Sequence, residues 1–322
     1  MIVDLPDTNT SKVSKALVKI REEGGAVALG RVLTLVIRTA LGQEEDAIEA
    51  ANDASREHPM RVIVVSTDAD DGVKSGRGAR LDAQIRVGGD AGASEVILLK
   101  AYGAAASDEE GLVTGLLLPD APVVVWWPGA APEVASTSAL GSIAQRRITD
   151  AASSSNPLAA LHRIVDTYQP GDTDFAWTRL TLWRAQLAAV LDQPPYEPVT
   201  SVEVHGAADS PSTALLAAWL KLQLKVDVIL EVSSKAHGAS GIQGVILHRK
   251  SGSIELDRIL PNVATLVQPN QPTHDISLPR RSLRDCLAEE LRRLDPDELF
   301  GEVIHKGLPQ LDSAAPKKKA SK

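Results

Sequence analysis

Two nearly continuous apolar stretches constrain the fold of this chain more than any other feature. "RVIVVST" begins at Arg61, and "APVVVWW" ends at Trp127, where a proline and a glycine stop it. Runs of this kind are typical of strands that are buried on both faces of a sheet. Segments with helical periodicity, such as "GQEEDAIEAANDASREH", alternate with such strands. This alternation predicts an α/β layered domain in which crossover helices connect the strands.

The second half of the chain begins a new α/β pattern and then changes character. "VTSVEVHG" and "VDVILEVS" predict strands on either side of the helix "SPSTALLAAWLKLQLK". The short alternating segments "GVILHRK", "SIELDRI" and "ATLVQP" follow and predict an antiparallel meander. The last predicted element is a helix in "RRSLRDCLAEELRRLDPDELFGEVIHKG", interrupted near Asp295 and Pro296.

The length of the chain predicts more than one domain, because 322 residues exceed the size at which a single core normally keeps growing. We expect an N-terminal α/β domain over residues 1–165. A C-terminal α/β domain with the meander and a C-terminal helix is expected over residues 166–312. Residues 313–322 contain the lysine-rich "PKKKASK", which predicts a disordered basic tail.

Charge and cysteine content exclude several classes of protein. The formal net charge of −8 argues against a nucleic-acid partner, which normally needs a basic surface. The single cysteine, Cys286, excludes an intrachain disulfide and a cysteine-based metal site. Neither a signal peptide nor an apolar run long enough to cross a bilayer is visible. We therefore expect a cytoplasmic protein with no nucleic-acid partner and no membrane partner.

Catalytic motifs are missing from the sequence. It contains no GxxxxGK[ST] phosphate loop, no GxGxxG after a strand and no GxSxG. The seven histidines are scattered without metal-ligand spacing. His205, at a predicted strand end just before Gly206, is the least ordinary of them, although a structural role is favoured there too. The sequence thus predicts no enzyme, no catalytic residue, no cofactor and no metal site.

Adjacent tryptophans end the second apolar strand. Trp126 and Trp127 account for two of only five tryptophans in the chain. Successive side chains of a strand point to opposite faces, so the two rings cannot lie on one face of the sheet. We expect one ring to anchor the strand in the core and the other to be exposed in a binding patch. We also expect both to lie near the helix that contains "GDTDFAWTRLTLWR".

The helix that contains "GDTDFAWTRLTLWR" carries two further tryptophans, each with an arginine nearby in the sequence. Its periodicity predicts one continuous element through "FAWTRLTLWRAQLAAVLD", capped by Asp172 and Asp174. Tryptophan and arginine are enriched at the energetic centres of protein interfaces. The residues predicted to bind a partner or ligand are Trp126, Trp127, Arg146, Arg147, Asp172, Asp174, Trp177, Arg179, Trp183 and Arg184.

The chain resembles a known family. It is similar to the OpcA family, the actinobacterial glucose-6-phosphate dehydrogenase assembly proteins. The similarity lies in "HPMRVIVVS", "SEVILLKAYG", "LLLPDAPVVVWWPG", "RRITD" and "YQPGDTDFAWTRLTLWR". The resemblance extends in order from about Arg31 to the final helix. It implies a non-enzymatic partner that promotes assembly or activity of glucose-6-phosphate dehydrogenase, an allosteric activator in the oxidative pentose phosphate pathway. It implies no catalytic residue.

Three interpretations stay open at this point. The chain is an interaction protein that biases the dehydrogenase toward its active form, or a sensor or enzyme that binds a sugar phosphate or nucleotide, or a scaffold with buried tryptophans. In the second interpretation, Arg146, Arg147 or Arg179 holds the phosphate and a tryptophan stacks on the ligand.

Overall fold

The computed structural model describes residues 1–23, 30–67, 78–88, 95–233 and 241–314. These residues form two compact units. Unit 1 comprises Met1–Ser153, Gly171–Thr173 and Ser282–Pro296. Unit 2 comprises Ser154–Pro170, Asp174–Arg281 and the chain from Asp297 onward. The chain therefore passes between the units more than once, and the expected division at residue 165 stays a prediction.

An eight-stranded sheet forms the centre of unit 1. Its strands are β1 (Ile2–Leu5), β2 (Leu33–Ala40), β3 (Met60–Thr67), β4 (Arg80–Val87), β5 (Glu95–Tyr102), β6 (Val123–Trp126), β7 (Arg146–Thr149) and β8 (Asp172–Asp174). They are arranged in the order β1-β4-β5-β3-β2-β6-β7-β8. Strands β5, β3, β2, β6 and β7 pair in parallel, whereas β4 pairs antiparallel with both β1 and β5.

The parallel strands follow the apolar stretches of the sequence. Every residue of β3 and β6 is buried, as expected for strands covered on both faces. The helices of unit 1 are α1 (Thr10–Glu23), α2 (Glu45–Ala54), α3 (Glu109–Thr114) and α8 (Leu283–Arg292). On one face of the sheet, Val13 and Leu17 of α1 share a core with Val36, Ile63 and Val125. The predicted α/β layering is confirmed.

A six-stranded sheet forms the centre of unit 2. Its strands are β9 (Ser201–Ala207), β10 (Asp227–Ser233), β11 (Ile242–His248), β12 (Ile254–Leu260), β13 (Val263–Val267) and β14 (His274–Ser277). The order is β10-β9-β11-β12-β13-β14. Strand β10 pairs in parallel with β9, and β11 to β14 form the predicted antiparallel meander.

One helix of unit 2 differs from the sequence prediction. The helices are α4 (Pro157–Thr167), α5 (Phe175–Thr178), α6 (Thr181–Leu191), α7 (Pro211–Leu224), α9 (Glu298–Glu302) and α10 (Leu308–Ala314), with a π-helical turn at Val303–Gly307. The expected continuous helix is wrong, because it breaks between α5 and α6. There the Leu180 N–H donates to the Trp177 carbonyl, a tighter i→i−3 bond. The Thr178 carbonyl instead accepts a hydrogen bond from Arg281 Nη1 at 3.0 Å.

The C-terminal segment is interrupted where Asp295 and Pro296 predict it. Helix α8 begins with a capping box between Ser282 and Asp285 and ends at Arg292. Helical structure resumes at Glu298 and continues to Ala314. The predicted tail at 313–322 therefore begins inside α10, and residues 315–322 lie outside the described residues.

Candidate functional site

The tandem tryptophans are both buried. Trp126 has none of its surface exposed and Trp127 only 2%. Strand alternation does separate them: Trp127 belongs to the core that contains Val125 and Leu140, and Trp126 points to the opposite face of the sheet. The expectation that one ring is exposed is wrong, because the sheet is covered on both faces at this position. The expected proximity of the pair to the 175–191 helices stays a prediction.

Arg146 and Arg147 each hold a carboxylate within unit 1. Arg146 Nε lies 3.1 Å from Glu290 Oε2, and its Nη2 also donates to that oxygen. The Thr173 hydroxyl lies 3.3 Å from the other oxygen of Glu290. Arg147 Nε donates to Asp172, and its Nη1 donates to the Ala144 carbonyl at 2.9 Å. Both buried guanidinium groups therefore have a carboxylate partner inside unit 1.

The two aspartates expected to cap a helix have different roles. Asp174 is the N-cap of α5 and accepts a hydrogen bond from the Ala176 N–H at 2.8 Å, as predicted. Asp172 is instead the partner of Arg147. Sequence spacing identified both residues as polar groups at a helix start, but only the fold shows that β8 brings Asp172 beside β7.

Trp177 of α5 and Arg184 of α6 contact each other although they belong to separate helices. The Arg184 guanidinium lies 3.8 Å from the centre of the Trp177 ring. Trp177 Nε1 donates to Asp297 Oδ2 at 2.8 Å. The centres of the Trp177 and Phe300 rings are 5.6 Å apart. Since Trp177 is 1% exposed, this cluster is part of the interior of unit 2.

Arg179 and Trp183 line a pocket, which we call the arginine pocket. It is a cavity of about 170 Å³ within unit 2. The side chains that matter for its chemistry are Arg179, Trp183, Ser212, Arg258, Arg280 and Arg281. None of the described residues that line it carries a carboxylate. The arrangement favours a negatively charged ligand.

Separate elements deliver these side chains to the arginine pocket. The break between α5 and α6 places Arg179 at the end of one helix and Trp183 in the first turn of the next. Ser212 lies in the first turn of α7, where helix N–H groups favour anions. Arg258 lies at an irregularity in the pairing of β12 with β13.

Arg258 is the most unusual cation of the pocket. Its guanidinium lies 5.3 Å from the centre of the Trp183 ring, and its Nη1 donates to the Pro261 carbonyl at 2.9 Å. Its buried Nε makes no hydrogen bond with the described residues. Burial, together with the positive charge of Arg280, lowers the pKa of Arg258 from its ordinary value to about 10.

Sequence reasoning found two residues of the arginine pocket and missed the rest. Arg280 and Arg281 appear in the sequence as the start of the last helix, and Arg258 appears as an ordinary strand residue. No local pattern joins positions 179, 258 and 280. The adjacent pair Arg280 and Arg281 is the one local signal for this pocket. Arginines are not needed to cap the start of a helix, so the pair suggests another role.

A histidine–carboxylate cluster lies on the half-exposed face of the second sheet. His248 Nε2 lies 2.8 Å from Glu203 Oε1, and His205 Nε2 lies 3.4 Å from Glu203 Oε2. The hydrogen bond with His248 is the main cause that lowers the pKa of Glu203. Ligand atoms of Glu203, His205 and Glu231 lie within 4.8 Å of one another. His205 Nε2 is buried and makes no hydrogen bond with the described residues, and Glu231 is exposed. We assign no metal to this cluster.

Strand β10 forms an edge of the second sheet and exposes apolar side chains. Ile229 is 53% exposed, Val232 is 49% exposed and Leu230 is 39% exposed. An edge strand presents unpaired backbone N–H and C=O groups along one side.

Within the described part of the chain, no helix is long and apolar enough to cross a bilayer.

Two domain families match the chain. Residues 51–166 match the family described as the N-terminal domain of a glucose-6-phosphate dehydrogenase subunit. Residues 170–304 match the family described as the C-terminal domain of the same kind of protein. The two matches lie in tandem and together span most of the chain.

One curated protein and two solved structures are similar to the chain. The "Putative OxPP cycle protein OpcA" of Nostoc punctiforme is 25% identical over 231 residues, which are 69% of this chain and 49% of that protein. The chain thus matches about half the length of this relative. An oxidoreductase from Sinorhizobium meliloti aligns with a TM-score of 0.52 at 11% identity, over 87% of this chain and 96% of that one. Glucose-6-phosphate 1-dehydrogenase from Mycobacterium avium aligns with a TM-score of 0.43 at 11% identity, over 88% and 93%. The match to the Sinorhizobium meliloti oxidoreductase shows a likeness of fold alone. Nothing is concluded from the match to the Mycobacterium avium enzyme.

Proposed function

This chain belongs to the OpcA family of proteins associated with glucose-6-phosphate dehydrogenase, and from that premise we propose that it is a non-enzymatic factor that binds the dehydrogenase directly and activates it. A binder changes activity only if it contacts the active conformation or oligomer more favourably than the inactive one. Its effect on the rate is therefore limited by its difference in affinity for the two forms.

The apolar edge formed by β10 is the observation that supports direct binding. Ile229, Leu230 and Val232 expose large side chains on a strand that, among the described residues, pairs on one side only. Apolar edge strands are normally protected in a protein that acts alone, because they pair with other chains. We take the dehydrogenase as the occupant of this edge, since the family descriptions name it.

The non-enzymatic part of the proposal is supported by the chemistry of the predicted residues. Arg146 and Arg147 are buried with carboxylate partners, and Trp177 donates to Asp297. These groups stabilise the interior of each unit. The sequence also lacks a dinucleotide fingerprint that would hold a nicotinamide cofactor.

The test compares two isoleucines with nearly equal exposure. Ile229 on β10 is 53% exposed, and Ile259 on β12 is 56% exposed. We expect Ile229→Asp to weaken binding of the dehydrogenase by about tenfold or more, because a charge at the centre of an interface must be desolvated. Ile259→Asp is the matched control and retains binding. Affinity is measured by biolayer interferometry, and dehydrogenase rate is assayed with and without each variant.

Two results would contradict the proposal. Turnover of glucose 6-phosphate by the purified chain alone would make it an enzyme. Unchanged dehydrogenase rate and no complex at micromolar concentrations would remove direct activation. Equal losses in Ile229→Asp and Ile259→Asp would keep the partner but displace the interface from β10.

A further inference from the structure

We propose that the arginine pocket of unit 2 binds a small phosphate-bearing anion, with Arg258 as the principal cation. The ligand is either inorganic phosphate or the phosphoryl group of a small ester. This site is independent of the β10 edge and of the proposed interaction with the dehydrogenase. It also gives a specific location to the phosphate chemistry that the sequence suggested for Arg179.

Arg258 carries the proposal. A half-buried guanidinium with a buried Nε that makes no hydrogen bond to the described residues is costly to the folded chain. The lowered pKa of Arg258, about 10, has the same cause. A phosphoryl oxygen in the pocket would accept from the Arg258 guanidinium and would stabilise its charged form. Guanidinium groups suit this task because they present parallel donors in a planar fork.

Other groups around the pocket point to the same ligand charge. Arg179, Arg280 and Arg281 line it with Arg258, so four cationic side chains surround the cavity. Helix α7 begins at Pro211, and Ser212 in its first turn lines the same cavity. The N-terminus of a helix of this length favours anions through the helix dipole.

The size of the cavity limits the ligand. Its volume of about 170 Å³ is below the roughly 300–1,000 Å³ of sites that enclose drug-sized molecules. A phosphoryl group with a few more atoms fits, whereas an enclosed dinucleotide does not. An acidic segment of a partner protein would need a longer groove. The observations therefore favour a small molecule over a peptide.

Trp183 gives the pocket a fixed wall. The indole is 3% exposed and lies 5.3 Å beneath the Arg258 guanidinium. Stacking on an aromatic ring restrains the plane of the guanidinium and so reduces the entropy lost when it binds a ligand. A lysine at position 258 would keep the charge but lose both the stacking and the planar fork.

Titration of the full-length protein with inorganic phosphate tests the proposal. Isothermal titration calorimetry is run at constant ionic strength, with sodium chloride as the compensating salt, for wild type, Arg258→Met and Arg258→Lys. We expect saturable binding to wild type, a loss of at least tenfold in Arg258→Met and a smaller loss in Arg258→Lys. Arg184→Met is the matched control, because Arg184 also stacks on a tryptophan of unit 2 but does not line the pocket. It retains the affinity of wild type.

A second titration with a hexose phosphate separates the two sources of the phosphoryl group. Tighter binding of the ester than of inorganic phosphate identifies an ester site, and equal affinity identifies a phosphate site; both support the proposal if Arg258→Met abolishes them. No saturable binding to wild type, or equal binding to Arg258→Met, overturns it. Loss of dehydrogenase binding in Arg258→Met without any phosphate binding by wild type also overturns it, in favour of an acidic protein segment. The β10 variants report on the dehydrogenase separately, so failure here leaves that proposal standing.

Discussion

Two arginines, one in each unit, show what distinguishes a structural cation from a binding cation. Arg146 of unit 1 is 4% exposed and lies against the carboxylate of Glu290. Arg258 of unit 2 is half-buried against Trp183, and its Nε makes no hydrogen bond with the described residues. In the first environment the protein supplies the anion, and the pair is complete. In the second the protein supplies the cation and the cavity, so the anion has to come from outside.

The same contrast applies to the tryptophans of the two units. Trp126 and Trp127 point to opposite faces of a covered sheet, and both side chains are buried. Trp183 is equally buried, but one of its sides forms a wall of the arginine pocket. Low exposure alone therefore does not separate core residues from site residues. What separates them is whether a cavity adjoins the side chain.

The largest effect is expected for Arg146→Met. Removing the guanidinium leaves Glu290 as a buried carboxylate without its cation, which typically costs about 3–5 kcal/mol of the free energy of unfolding. Urea denaturation measures this loss. The double variant Arg146→Met with Glu290→Met should recover most of it, because the uncompensated charge is then gone. Arg163→Met, on the exposed surface of α4, is the control, with a change of no more than about 0.5 kcal/mol. A loss below about 1 kcal/mol in Arg146→Met would mean that the ion pair does not hold unit 1 together.

A comparable effect is expected for each tandem tryptophan. Trp126→Ala and Trp127→Ala both create cavities in a packed interior, at a cost of about 3–5 kcal/mol each. Thermal unfolding should show both variants melting early, in contrast to the sequence-based expectation that only one would. Tyr196→Ala, at an aromatic side chain that is 69% exposed, provides the control. Wild-type stability in either tryptophan variant would show that the sheet is uncovered on that face.

Local patterns predicted the interior of this protein better than its pocket. The apolar run at Met60–Thr67 correctly predicted a buried strand, because a strand covered on both faces needs apolar side chains on both. Alternation correctly separated Trp126 from Trp127 but could not show that both faces are covered. At the break near Leu180, the Thr178 carbonyl accepts a hydrogen bond from Arg281, about one hundred positions away in the sequence. The arginine pocket is likewise assembled from distant segments, so no window of sequence contains it.

The smallest effect on stability is expected for Arg258→Met, and it most directly tests the comparison between the two arginines. The variant loses the hydrogen bond to the Pro261 carbonyl, worth roughly 0.5–1.5 kcal/mol. It gains from no longer burying a charge, and methionine keeps an apolar stem against Trp183. The net change at neutral pH should not exceed about 1 kcal/mol.

The pH dependence of that difference has a defined sign. The pKa of Arg258 is about 10 in the folded chain, well below the ordinary value that it has in the unfolded chain. Between these values the unfolded chain binds more protons than the folded chain, so this group adds stability as the pH rises. The free energy of unfolding of wild type should therefore rise relative to that of Arg258→Met between neutral pH and about pH 11. Urea denaturation of both proteins at each pH measures this difference. A loss of 3–5 kcal/mol at neutral pH, as expected for Arg146→Met, would mean that Arg258 already has an anionic partner within the protein. The two arginines would then be the same kind of residue, and the pocket would have no vacancy for phosphate.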